Sequence, residues 1–397
     1  VYFEPKTYAS LLSTLAANGR FRADADEVPE ANESVGASCG PKLFDRIAQD
    51  MANELLELDQ ESAELVVQGF AEGFPPEDEP NLVVNRVHVA TDTGICPQTK
   101  VKLRLIQLQD SDRRHAQKTL ISMAKQEFKE MQDILVLRRK KQSKGKKPFV
   151  REDPEVASNN LREFGEWLDS RDGPPFTAFV DGPNVGWCGH PKFHYRQVEL
   201  MVEALERMGE VPLVIMPERY VQDKFWLYAT KTVQYLEQRE MDIIDKLYFS
   251  GSLYVTNKCL DDFFWMYACV SQQTQAVKEQ GSKGPFYYVP EGDPNRCSGM
   301  RPMLVSNDQM RDHRLELLEP RLFRRWCSCH VVNYDFEHTQ DEWTTTANSV
   351  NLHPADVYSN EIQGNPDKQG NNVWHIPVGD WDEHEMLCIR IGGDNED

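Results

Sequence analysis

From Phe176 to Tyr334 short apolar runs alternate with stretches of helical spacing, and few folds accept that alternation. The runs are Phe176 to Val180, Leu213 to Met216 between Pro212 and Pro217, Leu253 to Thr256, Met303 to Ser306 and Val331 to Tyr334. Helical spacing is read between them over Val198 to Met208, Phe225 to Leu236, Asp261 to Val270 and Asp308 to Leu318. Strands that succeed one another through helices run parallel with right-handed crossovers, so an open α/β sheet with helices on both faces is expected. Gln272 to Arg301 breaks the rhythm with Gly, Pro, Lys and Ser and reads as an inserted loop or lid.

The rest of the chain has a different texture. Of its 397 residues, the first 80 carry apolar positions at helical spacing (Leu11, Leu12 and Leu15; Phe44, Ile47, Met51 and Leu55; Leu65, Val66 and Phe70), and Pro75-Pro76 closes that stretch. Val84, Val87 and Val89 before Cys96, with Val101, Leu103, Leu105 and Ile106 after it, read as a small β-ribbon around a turn. A long helix is expected from about Arg113 to Leu135, then another around Leu161, Phe164, Trp167 and Leu168. Past Asn351 two strands, Val373 to Pro377 and Leu387 to Ile391, flank an acidic turn.

Composition narrows the function classes. No run approaches the roughly 18 apolar residues of a spanning helix, which excludes insertion through such a helix. A formal charge of -20 argues against a nucleic-acid binder on average, yet the segment 138–147, RRKKQSKGKK, holds seven basic residues in ten. That run reads as a nuclear localisation signal, a phosphate-contacting loop or a solvated linker, with Arg138, Arg139, Lys140 and Lys141 as candidate RNA contacts. Arg20, Arg22, Lys42, Lys192 and Arg196 are further candidates for phosphate. Nine cysteines without a CxxC pair give no disulfide framework and favour a reducing compartment.

Acidic residues fall where strands end: Asp181 in FVDGPN, Asp261 and Asp262 after YVTNKCL, and Asp308 in LVSND. In an open parallel sheet those ends form the ligand crevice, so the four carboxylates should share one rim. Crowded carboxylates repel unless a divalent cation lies among them, which points to Mg²⁺ or Mn²⁺ and to hydrolytic phosphoryl transfer. Taken singly, each is equally well a helix N-cap. Asn184, Asp312 and His313, on the first turns of the following helices, are candidates to orient water or phosphate, or are caps in their turn.

The blocks FVDGPNVGW, DDFFWMYA, LVSNDQMRDH and VWHIP, in that order, resemble the NYN-type metallonuclease of protein-only RNase P, which removes the 5′ leader of precursor tRNA. The likeness runs from about Val84 to Ile391, with Pro183 where the family usually has Ala. TYASLLSTLAANGR, residues 7–20, is similar to the start of a pentatricopeptide repeat. The resemblance implies an α + α/β architecture. A helical-repeat, pentatricopeptide-like N-terminal region would span 1–80. A small β-rich, bipartite central domain would span 81–110 plus 351–397. A Rossmann-like α/β metallonuclease of NYN/PIN type would span 111–350, with the insertion near 272–301.

It implies a V-shaped endoribonuclease that needs no RNA subunit, acts as a monomer on precursor tRNA and leaves a 5′-phosphate and a 3′-hydroxyl. Asp181, Asp261, Asp262 and Asp308 match the family's Mg²⁺ ligands. An NYN nuclease acting on another RNA and a catalytically inactive RNA-binding adaptor are the alternatives. The family's structural Zn²⁺ lies between a CxxC pair and a distal His and Cys. Cys96, His375 and Cys388 match three of these ligands, and Thr99 stands where the second thiolate belongs. His88, a water or another thiol would complete the tetrahedron, or the site holds no metal. Cys327, Cys329 and His330 form a rival cluster. The basic run leans the expected compartment to the nucleus, with the mitochondrion as alternative.

Overall fold

The computed structural model describes residues 4–22, 39–74, 82–142, 151–227, 230–271, 288–289, 297, 299–308, 320–337, 345–379 and 384–392, without the side chains of 138–142 and 288–289. The chain divides into two compact units, Val1–Ile106 with Asp356–Asp397, and Gln107–Ala355. Among the described residues no helix is long and apolar enough to cross a membrane.

The second unit is built on six strands: β1 (Ala178–Asp181), β2 (Pro212–Pro217), β3 (Leu253–Thr256), β4 (Met303–Val305), β5 (Val331–Phe336) and β6 (Val350–His353). Their order is β6-β5-β4-β1-β2-β3, parallel throughout except for β6, which pairs antiparallel with β5. Strand order therefore reverses between β1 and β4, the switch point where a doubly wound sheet opens a crevice at its carboxyl ends.

Both faces of this sheet are covered, which is why its strands read as continuous apolar runs. Phe179, Leu213, Ile215 and Leu304 pack with Leu120, Phe164, Trp265 and Trp326 on one side. Those partners lie on helices Asp110–Gln142, Glu155–Ser170, Asp261–Val270 and Pro320–His330. Val180, Val214, Met216 and Val305 pack on the other side with Val198, Met201, Ile243 and Leu247, from helices Tyr195–Arg207 and Gln238–Phe249. The expected helix Phe225 to Leu236 is instead a hairpin, Lys224–Leu227 paired antiparallel with Thr232–Tyr235. Phe225 and Leu227 are buried while Lys224 and Trp226 face water, a period of two, and Lys231 takes φ 55° in the turn. The segment 309–318 of the expected helix after Asp308, and most of 272–301, lie outside the described residues.

In the first unit the apolar spacing yields helices Pro5–Ala17, Gly40–Glu54 and Gln60–Gly73. They cover one face of an antiparallel sheet ordered Val83–His88, Glu385–Arg390, Asn372–Pro377, Gln363–Pro366. The first and third helices approach so closely that a Cβ on Gly73 would lie 1.7 Å from the Ala16 carbonyl oxygen. Asp45 ties the second helix to the sheet by accepting hydrogen bonds from Trp374 Nε1 at 2.7 Å and Asn372 Nδ2 at 2.9 Å. The expected β-ribbon reduces to one bridge, Ile95 to Lys102, because Val83–His88 spends its hydrogen bonds on Glu385–Arg390, some 300 positions away.

Phe179 is fully buried at the centre of the six-stranded sheet. Phe179→Ala should lower stability by about 3–5 kcal/mol in urea unfolding, and a loss under about 1 kcal/mol would contradict this placement of the core.

Candidate active site

The turn after β1 presents the first carboxylate. Gly182 lets the chain leave the sheet there, since a Cβ would lie 2.9 Å from the Ile215 carbonyl oxygen. Asp181 accepts hydrogen bonds from the Asn184 backbone N–H at 3.1 Å and the Ser306 hydroxyl at 2.8 Å. The Ser306 hydroxyl in turn accepts from the Asp308 N–H at 3.1 Å. Asn184 Oδ1 receives the Asn307 N–H at 2.9 Å and the Tyr334 hydroxyl at 2.7 Å, while Asn307 exchanges two bonds with the Tyr334 backbone. One network thus joins the ends of β1, β4 and β5 and fixes the backbone that carries Asp181 and Asp308.

Asp261 and Asp262 open helix Asp261–Val270, where the positive end of the macrodipole favours carboxylates. All four aspartates line one open cleft of about 510 Å³, together with Asn184, Trp187, Arg219, Tyr220, Asn307 and Tyr334. The aspartates do not close on one point. Among the described residues no three of their carboxylates have ligand oxygens all within 4.8 Å of one another. That spacing suits a cation that keeps several of its waters.

Burial, then Asp261 and Asp262, raise the Asp181 carboxyl well above the carboxylate range, against the two hydrogen bonds it accepts. Burial first and Asp262 second push Asp261 up to about 7. Two buried acids are therefore held towards protonation, with Arg219 opposing the shift at Asp261. An all-oxygen donor set of this kind fits Mg²⁺ or Mn²⁺.

Asp312 and His313 lie outside the described residues, as do the side chains of Arg138, Arg139, Lys140 and Lys141, whose backbone continues helix Asp110–Gln142. Arg196 is not a phosphate contact of this surface, because Glu199 at 2.5 Å and Glu203 at 3.4 Å already bind it. Arg219 stands in no motif of the sequence. It is the one cation lining the cleft among the described residues, and its guanidinium lies 4.7 Å from the Tyr220 ring centroid. Ser306, Asn307 and Tyr334 are no more legible, since a hydroxyl or amide beside a strand end carries no pattern until the sheet is assembled.

In the first unit, Cys96, His375 and Cys388 are fully buried with ligand atoms within 4.8 Å of one another, the two sulfurs 3.7 Å apart. His375 and Cys388 are cross-strand partners, so their side chains share a face of the sheet. Both ring nitrogens of His375 are buried without an oxygen or nitrogen partner, a costly arrangement that a metal on one of them would relieve. The neighbouring Cys388 thiol favours Cys96 as thiolate and is itself held protonated by it. This donor set fits Zn²⁺. His88 faces water at the strand end and does not join the group, and the rival cluster does not form: His330 is bound to the Pro302 carbonyl at 2.8 Å.

No family model matches the chain. Its sequence is 27% identical over 239 residues to Proteinaceous RNase P 1, chloroplastic/mitochondrial, of Arabidopsis thaliana, covering 58% of this chain and 33% of that protein. Against Proteinaceous RNase P 2 of the same plant it is 25% identical over 239 residues, covering 57% and 35%. The crystal structure of nuclear proteinaceous RNase P 2 from that plant superposes with a TM-score of 0.57 at 17% identity, over 99% of this chain and 68% of that one. The chain spans about a third of the length of the curated relatives it matches. The resemblance to protein-only RNase P read from the motifs is thus borne out in sequence, and the mixed α/β fold matches that of the solved relative.

A raised folded-state pKa stabilises the protein below the unfolded value, near 3.8 for Asp261, and that contribution is lost as pH climbs through about 7. Without divalent ions, Asp261→Asn should therefore gain Tm relative to the parent as pH goes from 5 to 8. Mg²⁺ should raise the parent's Tm at pH 8 more than at pH 5, and should do so only weakly in the variant. Equal Mg²⁺ shifts at both pH values in a thermal melt would contradict this electrostatic picture.

Proposed function

We propose that this chain is a Mg²⁺-dependent endoribonuclease that removes the 5′ leader of precursor tRNA, leaving a 5′-phosphate and a 3′-hydroxyl. The observation that carries the reading is the meeting of Asp181, Asp261, Asp262 and Asp308 in one cleft at the sheet's switch point, in a chain similar to proteinaceous RNase P. Asp181, Asp261, Asp262 and Asp308 would hold the cation. Held by these carboxylates, Mg²⁺ would lower the pKa of a water nucleophile and act as a Lewis acid for the leaving 3′ oxygen.

The chain's own residues do the rest. The Ser306, Asn184, Asn307 and Tyr334 network holds the Asp181 and Asp308 backbone in register, so the carboxylates need no reorganisation when RNA arrives. Arg219 offers a planar fork for a non-bridging phosphate oxygen amid four acids that would otherwise repel it. Trp187, held by the 3.0 Å hydrogen bond it donates to the hydroxyl of the buried Tyr220, offers a ring for an unstacked base next to the scissile link.

The helices of the first unit are the proposed pentatricopeptide-like RNA-binding region, and the second unit the NYN nuclease. Cys96, His375 and Cys388 are the proposed Zn²⁺ ligands of a bipartite central domain. A monomer acting without an RNA subunit is the proposed form. The basic run at 138–147 supports a nuclear address, with the mitochondrion as alternative.

Incubation of leader-bearing precursor tRNA with the chain, with and without Mg²⁺, followed by mapping of the new 5′ end, tests the reading. One cut at the mature terminus, only with Mg²⁺, is expected; a cut elsewhere would assign the site to another RNA. Asp308→Asn should leave precursor binding in a gel shift nearly intact and lower cleavage by orders of magnitude, and unchanged cleavage would remove Asp308 from the mechanism. Arg219→Ala should cost about 1.5–3 kcal/mol of transition-state stabilisation, roughly ten- to a hundredfold in kcat/KM, and parent-like kinetics would discard its phosphate contact.

A further inference from the structure

The group formed by Cys96, His375 and Cys388 supplies three donors, whereas a closed structural Zn²⁺ site takes four. The segment after Cys96 brings a further side chain to this group. Cys96-Pro97-Gln98-Thr99-Lys100 is a tight turn: the Lys100 N–H donates to the Cys96 carbonyl at 3.0 Å, and the Cys96 N–H donates to the Val101 carbonyl at 2.9 Å. Lys100 takes φ 61° to complete it. The turn carries the Thr99 side chain back beside the Cys96 and Cys388 sulfurs. Its Oγ1 is buried and is matched by no oxygen or nitrogen, as are both ring nitrogens of His375, and the sulfurs are what faces them. Three buried polar atoms turned on two buried thiols, with no oxygen or nitrogen to bond, form an arrangement that proteins rarely keep without a ligand.

We propose that Thr99 takes the fourth corner of this site through its hydroxyl, making a Cys₂HisThr zinc centre; this rests on the reading of Cys96, His375 and Cys388 as Zn²⁺ ligands. Charge favours the arrangement. Two thiolates, a neutral imidazole and a neutral hydroxyl around Zn²⁺ sum to zero, whereas a third thiolate would leave one negative charge in a pocket whose three ligands are fully buried. A neutral oxygen is a weaker donor to zinc than a thiolate, so the same choice makes the centre easier to strip.

The test uses the full chain and Thr99→Ser, Thr99→Val and Thr99→Cys, each purified without chelator. Zn²⁺ is counted by mass spectrometry, its retention is followed against a competing chelator, and the Co²⁺-substituted proteins are examined by absorption. About one Zn²⁺ is expected in the parent and in Thr99→Ser, with a tetrahedral Co²⁺ spectrum. Thr99→Cys should raise the sulfur-to-cobalt charge-transfer absorption by about half, as thiolates go from two to three, and should retain zinc against more chelator. Thr99→Val should lose zinc at roughly tenfold less chelator. If Thr99→Val matches the parent in spectrum and retention, Thr99 is not a ligand, although the three-residue site stands. If neither the parent nor Thr99→Cys holds zinc, the metal site itself falls and the Thr99 assignment with it.

Discussion

Burial of negative charge at a sheet's switch point is the constraint on which the rest of the second unit depends. Asp181 and Asp261 are both nearly excluded from water and line one cleft with Asp262, so each is pushed towards its protonated form. A fold keeps such a liability only where something holds the groups together against their repulsion. Here the holding is done by strand order, which brings the ends of β1 and β4 side by side, and by Ser306 and Asn184, which bond the Asp181 carboxylate directly. A cation amid these oxygens turns the repulsion into binding.

The two units treat ionisable groups in opposite ways. The second spaces hard oxygen donors around an open cleft, where water, a hydrated cation and a phosphate all have room. The first closes two thiols and an imidazole into the interior of a sheet face, with bare nitrogens and no access for substrate. Chemistry suits the open cleft and architecture the closed group of thiols and imidazole. The cross-strand pairing of His375 with Cys388 explains how residues far from Cys96 in sequence reach it.

Much of the second unit was legible in its sequence, because strands covered on both faces leave uninterrupted apolar runs. Helix Asp261–Val270 begins and ends where its pattern says, and the carboxylates at the strand ends announced the cleft. The hairpin Lys224–Leu227 with Thr232–Tyr235 was misread because Phe225, Trp226 and Leu227 satisfy a helical window as well as an alternating one. Val83–His88 was assigned to a local ribbon since its true partner, Glu385–Arg390, lies at the other end of the chain. Arg219, Ser306 and Tyr334 were invisible for a related reason: what they do is set by what lies opposite them, and only the assembled sheet shows that.

Anomalous diffraction from crystals soaked in Mn²⁺ tests the central claim most directly, since it sees the ion without reference to any reaction. The account predicts a peak in the cleft within coordinating distance of Asp181 and at least one of Asp261, Asp262 and Asp308, which disappears in Asp181→Asn. Crystals with the cleft accessible and no anomalous signal at these carboxylates, or a signal unchanged by that substitution, would contradict it.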